Sequence, residues 1–223
     1  MRRSLANPPP AVWKSLKVAV FGASLIPFAL LLAGAFGVGG ADLGANPVEA
    51  LIHRNGKWGL NFLLITLAVT PLRNLTGWSA LIRFRRMLGL FAFFYVLLHF
   101  LAYAGLDQRF NLAVILEDIV ERPYITLGVT ALLLLLPLAV TSTNGMVRRL
   151  GKRWKKLHRL IYVIGILGVW HFYWQVKLDT LEALIYAGIL TVLLAYRLLD
   201  RRRRERRRLA GPRSNDDRIA HPR

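Results

Sequence analysis

The stretch WKKLHRLIYVIGILGVWHFYWQVK, residues 154–177, decides how this chain is read. It opens on Trp154 and a pair of lysines, runs through an apolar segment, and closes on a cluster of aromatics and Lys177. Charged ends and an aromatic belt around an apolar centre are the marks of a membrane-spanning helix. The stretch also carries two histidines, His158 near its start and His171 near its end. Ionisable groups inside a span are costly, so each one points to a function.

Working outward, further apolar runs lie at about 18–36, 58–72, 87–105, 124–140 and 183–199. With the first stretch they predict an all-α polytopic membrane bundle of six transmembrane helices, spanning 18–199. Residues 1–17 form a basic, Pro-rich segment, and 200–223 an Arg-rich tail. The tail is expected to be disordered and to lie near anionic lipid headgroups. The basic start and the Ala-Gly-Ala at 33–35 mimic a secretory leader, but a 19-residue apolar run is long enough to span and is read as an uncleaved helix. Between the first two spans, Asn46-Pro47 reads as a helix start and Asn55-Gly56 as its end. That predicts a short surface helix over 47–54, carrying His53. Pro71 is expected to end the second span, and Pro137 to kink the fourth. Residues 106–123 read as an acidic loop.

The composition agrees with a membrane protein. The chain combines 55% hydrophobic residues with a net charge of +19. A soluble protein rarely does both, whereas apolar spans alternating with basic loops do. With the N-terminus inside, the outer segments carry net −3 and the inner ones net +22. The positive-inside rule then puts both termini in the cytoplasm. It also accounts for the RRRRERRR run at 201–208 as an orientation anchor, with no need for nucleic acid. The chain has no cysteine, which excludes disulfides, thiolate-held iron–sulfur clusters and thioether-linked haem. It contains no H-E-x-x-H, Walker loop or G-x-G-x-x-G, so a soluble electron donor would have to be another protein.

The third and fifth spans both run from inside to outside. His99 lies 13 residues past Arg86, and His171 lies 15 past Lys156. At 1.5 Å per residue both are about 20 Å from the cytoplasmic edge. Two imidazoles at equal depth on two helices can ligate one iron from opposite sides, so His99 and His171 are read as haem ligands. His158 sits near the inner edge, level with Arg85 and Arg86, and no histidine on the third span matches its depth. It is read as binding a second haem with another partner, or as contacting a quinone, a flavin or a haem propionate. Arg85 and Arg86 suit a propionate or phosphate as well as they suit a topology anchor. His221 belongs to the tail and is read as solvated.

Several runs resemble the MsrQ (formerly YedZ) family, haem-binding membrane subunits of the bacterial periplasmic methionine-sulfoxide reductase system. They are GANPVEALIHRNGKW (44–58), FLLITLAVTPLR (62–73), IRFRRMLGL (82–90), LLHFLAY (97–103), RPYITLG (122–128), TSTNGMVRRLGKRWKKLH (141–158) and WHFYWQVK (170–177). The resemblance implies a ferric-reductase-like domain in the bacterial inner membrane that binds haem b, one or two per chain, with His99, His158 and His171 as ligands. It also implies bound FMN, although the sequence has no recognisable flavin motif. Electrons would come from the quinone pool or a cytosolic flavin reductase. They would leave to a periplasmic, molybdenum-containing catalytic subunit that repairs oxidised methionines. The sulfoxide chemistry would belong to that partner. One departure stands out: ferric reductases and NADPH oxidases carry two histidines on each of two helices, but here Arg85-Arg86 occupies the inner position on the third span.

Two other functions fit the same spans. A self-sufficient transmembrane ferric or quinone reductase would work without the partner. A transporter with proton-relay histidines would need a polar path, and the spans offer few polar groups beyond Asn61, Thr66 and Thr130.

Overall fold

The computed structural model describes residues 9–40, 42–176 and 180–209. The first eight residues, Ala41, residues 177–179 and the tail from 210 onward, with His221, lie outside the described residues. The described chain is an all-α bundle. Its helices are α1 (Pro10–Ala35), α2 (Pro47–Thr76), α3 (Arg85–Leu101), α4 (Leu112–Glu121), α5 (Pro123–Val140), α6 (Asn144–Leu150), α7 (Lys152–Leu157), α8 (Leu160–Gln175) and α9 (Leu181–Leu209). A π-helical turn, Ala102–Asp107, extends α3.

Among the described residues, four helical stretches can cross a membrane by length and composition: Pro10–Ala35, Arg85–Asp107, Pro123–Val140 and Leu181–Arg206. The expected second and fifth spans fall in α2 and α8, which do not meet that measure. The 16 residues of α8 make a helix of about 24 Å, a little short of the roughly 30 Å hydrocarbon core. Both helices contribute to the centre of the bundle, where Leu63, Leu67, Ile164 and Val169 are buried. The tightest pairings are α2 with α3 and α5 with α8.

The structure corrects the expected break at Asn55-Gly56. Residues 47–76 form one continuous helix, with Asn46 capping its start by accepting from Glu49 N–H at 3.2 Å. Asn55 is buried and donates to the Leu51 carbonyl at 2.8 Å, so its side chain supports the helix it was expected to end. Gly56 and Gly59 let α3 approach closely: a Cβ on Gly59 would meet Val96 Cγ2 at 2.6 Å. Small residues play this part where helices pack without a hydrophobic driving force.

Pro71 does not end α2 either. A proline at that position cannot donate to the Leu67 carbonyl one turn back. Arg197 on α9 donates from Nη2 to that carbonyl at 2.8 Å, and the helix continues to Thr76. It closes at Gly77, whose φ of 71° is the left-handed cap that glycine favours.

Three further differences concern the ends of the bundle. The expected acidic loop contains α4, started by Asn111, whose side chain accepts from Val114 N–H. Buried Asp118 on α4 accepts from Tyr103 OH at 2.7 Å and pairs with Arg122 at 3.1 Å. The fifth predicted span is interrupted at His158-Arg159, between α7 and α8. Finally, α9 runs on through the arginines to Leu209, with i,i+4 pairs Asp200–Arg204 and Arg201–Glu205 along its surface.

Candidate haem-ligand site

Two helix pairs build the site in the same way. On the first pair, His99 reaches from α3 to α2, its Nδ1 lying 2.8 Å from the Ile52 carbonyl. A Cβ on Gly56, one turn beyond Ile52, would stand 2.9 Å from the same Nδ1. On the second pair, His171 reaches from α8 to α5, its Nδ1 lying 2.6 Å from the Tyr124 carbonyl. A Cβ on Gly128, one turn beyond Tyr124, would stand 2.9 Å from Nδ1 and from Cε1. Each imidazole therefore rests against a glycine and a carbonyl one turn before it.

That arrangement has a chemical consequence. A carbonyl can only accept, so each Nδ1 carries the hydrogen. Each Nε2 is then left with a free lone pair, the form in which an imidazole ligates a metal. The two half-buried rings are neighbours, 5.9 Å between centres and 75° between planes. A metal–imidazole bond is about 2 Å, and two of them end to end, with the distance from each nitrogen to its ring centre, span about 6 Å. The separation suits one metal atom between two imidazoles. Among the described residues, no group of three His, Cys, Asp or Glu could hold a metal ion by itself. A two-imidazole site suits a metal whose remaining ligands come with it, as the four nitrogens of a haem do.

The other predicted residues lie elsewhere. His158 is at the α7–α8 break, 13 residues before His171, and no second histidine lies beside it among the described residues. Its ring stacks on Trp154 at 3.8 Å, its Nδ1 lies 3.2 Å from the Trp154 carbonyl, and its Nε2 lies 3.5 Å from Ser142 Oγ. Arg85 is half-buried within electrostatic reach of His158, Tyr162 and Arg197. Arg86 is exposed and holds Asn144 Oδ1 at 2.5 Å. Exposed His53, next to Ile52, accepts from Gln175 Nε2 at 2.8 Å and forms a surface link between α2 and the end of α8.

Sequence reasoning did not pick out Gly56, Gly128, Ile52 or Tyr124. Gly128 carried a signal, since it sits inside an apolar run where it costs stability unless another group needs the space, whereas Gly56 beside Asn55 read as a helix end. The two carbonyls carried none, because any residue supplies one.

Residues 55–169 match the family described as the ferric reductase like transmembrane component. A protein-methionine-sulfoxide reductase heme-binding subunit MsrQ of Rhodospirillum rubrum is 60% identical over 191 residues, covering 85% of this chain and 90% of that protein. The protein of the same name from Xanthomonas euvesicatoria is 54% identical over 202 residues, covering 88% and 93%. No solved structure matches the chain. With the paired histidines in place and identity of this degree along most of its length, the chain belongs to the MsrQ family and carries a membrane domain of the ferric-reductase type.

Proposed function

We propose that this chain is the haem-binding, electron-transfer membrane subunit of a protein-methionine-sulfoxide reductase system. His99 and His171 would ligate the iron of a haem b near the outer side of the membrane. The observation that carries the reading is the neighbouring pair of imidazoles, ring centres 5.9 Å apart, each with Nδ1 against a backbone carbonyl. The haem would supply a reversible one-electron couple. The protein's own groups fix the two rings: the carbonyls of Ile52 and Tyr124 set the tautomer, and Gly56 and Gly128 leave the rings their space.

The charge distribution supports six crossings with both termini in the cytoplasm of a bacterial inner-membrane protein. Electrons then enter at the end holding His158, Arg85 and Arg86, from the quinone pool or a cytosolic flavin reductase. They leave at the His99–His171 end to a periplasmic molybdenum-containing catalytic subunit. FMN is a further cofactor in this reading, suggested by the family resemblance. The sparse polar groups of the spans support electron transfer over proton relay: Asn61 accepts from Tyr186, and Thr66 and Thr130 each donate to a carbonyl of their own helix.

Oxidised and dithionite-reduced absorption spectra of the purified chain test the assignment, with haem quantified per polypeptide. A low-spin b-type spectrum that disappears in both His99→Ala and His171→Ala is expected. Full haem retention in both variants would remove the two ligands from the proposal. Reduction of an outer acceptor by the purified chain alone would favour a self-sufficient reductase.

A further inference from the structure

At the end of the bundle opposite the paired histidines, an open cavity of about 640 Å³ lies between α2, α8 and α9. Its walls include Thr70, Arg159, Tyr162, Leu194, Arg197 and Leu198. The two carboxylates at its edge are already engaged, Asp200 with Arg204 and Glu205 with Arg201, each at 2.9 Å. Arg159, Arg197 and the neighbouring Arg85 have no carboxylate within 4 Å among the described residues. Arg197 is half-buried, its Nη1 bonded to Tyr162 OH at 2.9 Å and its Nη2 to the Leu67 carbonyl. Its Nε is fully buried and has no partner, and the same is true of Thr70 Oγ1.

Arg197 and Arg85 are partly buried, and partly buried cations without a counter-charge are costly, as are buried donors without an acceptor. An anion bearing several acceptor oxygens would answer both costs. The cavity is much larger than one phosphate group and has the leucines and the Tyr162 ring on its walls, so the anion comes with an apolar body. Cationic pockets between membrane helices at the cytoplasmic face bind phospholipid headgroups in this way. We propose that this cavity is a phosphate-binding site in which Arg159 and Arg197 hold the phosphate of an anionic phospholipid, whose acyl chains run along Leu194 and Leu198. A soluble phosphate ester with a flat apolar body could present the same group. The site is independent of the haem ligands, and its failure would leave their assignment untouched.

Native mass spectrometry of the full chain, taken from bilayer discs containing equal phosphatidylglycerol and phosphatidylcholine, tests this. Arg159→Gln is the main variant, since Arg159 is exposed and makes no ion pair among the described residues. Arg197→Gln is the second, and the haem spectrum reports folding of each. One retained phosphatidylglycerol per chain, reduced about tenfold in Arg159→Gln, is the expected result. Riboflavin 5′-phosphate and riboflavin are then added separately. Displacement of the lipid by the phosphate ester alone, again weakened in Arg159→Gln, would assign the same site to a soluble ligand. Equal lipid retention in the parent and both folded variants, with no preference for the phosphate ester over riboflavin, would overturn the proposal.

Discussion

Tyr95 donates its hydroxyl proton to the Ser24 carbonyl, 2.7 Å away, joining α3 to α1 across 71 residues of sequence. In an uninterrupted helix that carbonyl would accept from Phe28 N–H. Here Pro27 lies between them, and Phe28 N–H donates instead to the Tyr95 oxygen at 3.1 Å. The hydroxyl thus completes a helical bond that the proline opens. Tyr95 is fully buried and stacks on Phe62 with ring centres 5.3 Å apart. Tyr95→Phe keeps the stacking and leaves the Ser24 and Phe28 backbone groups unpaired in an apolar setting. The expected loss is about 1–3 kcal/mol of stability. Thermal unfolding in detergent should show a lower midpoint for the variant. A midpoint equal to the parent's would mean that the two backbone groups pair without the hydroxyl.

The glycines behind the imidazoles make a sharper prediction about the site. In Gly128→Ala the new methyl carbon would start 2.9 Å from the His171 ring, and in Gly56→Ala 2.9 Å from His99 Nδ1. Neither ring can give way without weakening its bond to the carbonyl. Loss of such supporting contacts costs about 10- to 100-fold in metal affinity. Each variant should lose haem on dilution or show a shift away from the low-spin spectrum. Gly188→Ala is the control, since nothing lies within 4 Å of its added carbon. Spectra of all three variants that match the parent's would separate the glycines from the haem site.

How far the sequence reveals this architecture depends on what each residue does locally. The depth of His99 and His171 could be counted from the basic ends of their helices, because rise per residue is a property of the backbone alone. The structure brings those rings together. Asn55-Gly56 and Pro71 misled for the opposite reason: their local meaning is overruled by residues far away in the chain. Gly56 is small because His99 needs the space, and Pro71 is tolerated because Arg197 satisfies Leu67. The interruption at His158-Arg159 was equally hidden, since the apolar pattern reads straight through it. The short α4 was masked by its charges, one of which, Asp118, is tied up by both Tyr103 and Arg122.

Asp118 is the residue through which α4 is fastened. Its carboxylate is buried, with one oxygen on Tyr103 OH and the other on Arg122. Asp118→Ala would leave the phenol unpaired and release the arginine. Arg122 is 53% exposed, so water compensates much of the lost ion pair, and the expected cost is about 1–2 kcal/mol. The effect should be confined to this cap. Hydrogen exchange over 112–121 should speed up while the haem spectrum stays as in the parent. Unchanged exchange in that segment would show that apolar contacts, such as buried Ile115, hold α4 in place without the carboxylate.

His158 tests whether the two ends of the bundle act separately. Its ring is held by stacking on Trp154 and lies beside Ser142, at the helix break that precedes the helix of His171. Nothing in that setting bears on the Ile52 and Tyr124 carbonyls that hold the other two imidazoles. His158→Ala should therefore keep the low-spin haem of the His99–His171 pair, while reduction from a quinol or a cytosolic flavin reductase slows. Haem per chain gives the second reading of the same variant. A fall to about half, with the remaining spectrum unchanged, would assign a second haem to His158. Complete loss of haem in a protein that still folds would mean that His158 shares the iron site, and the two ends would then have to be treated as one.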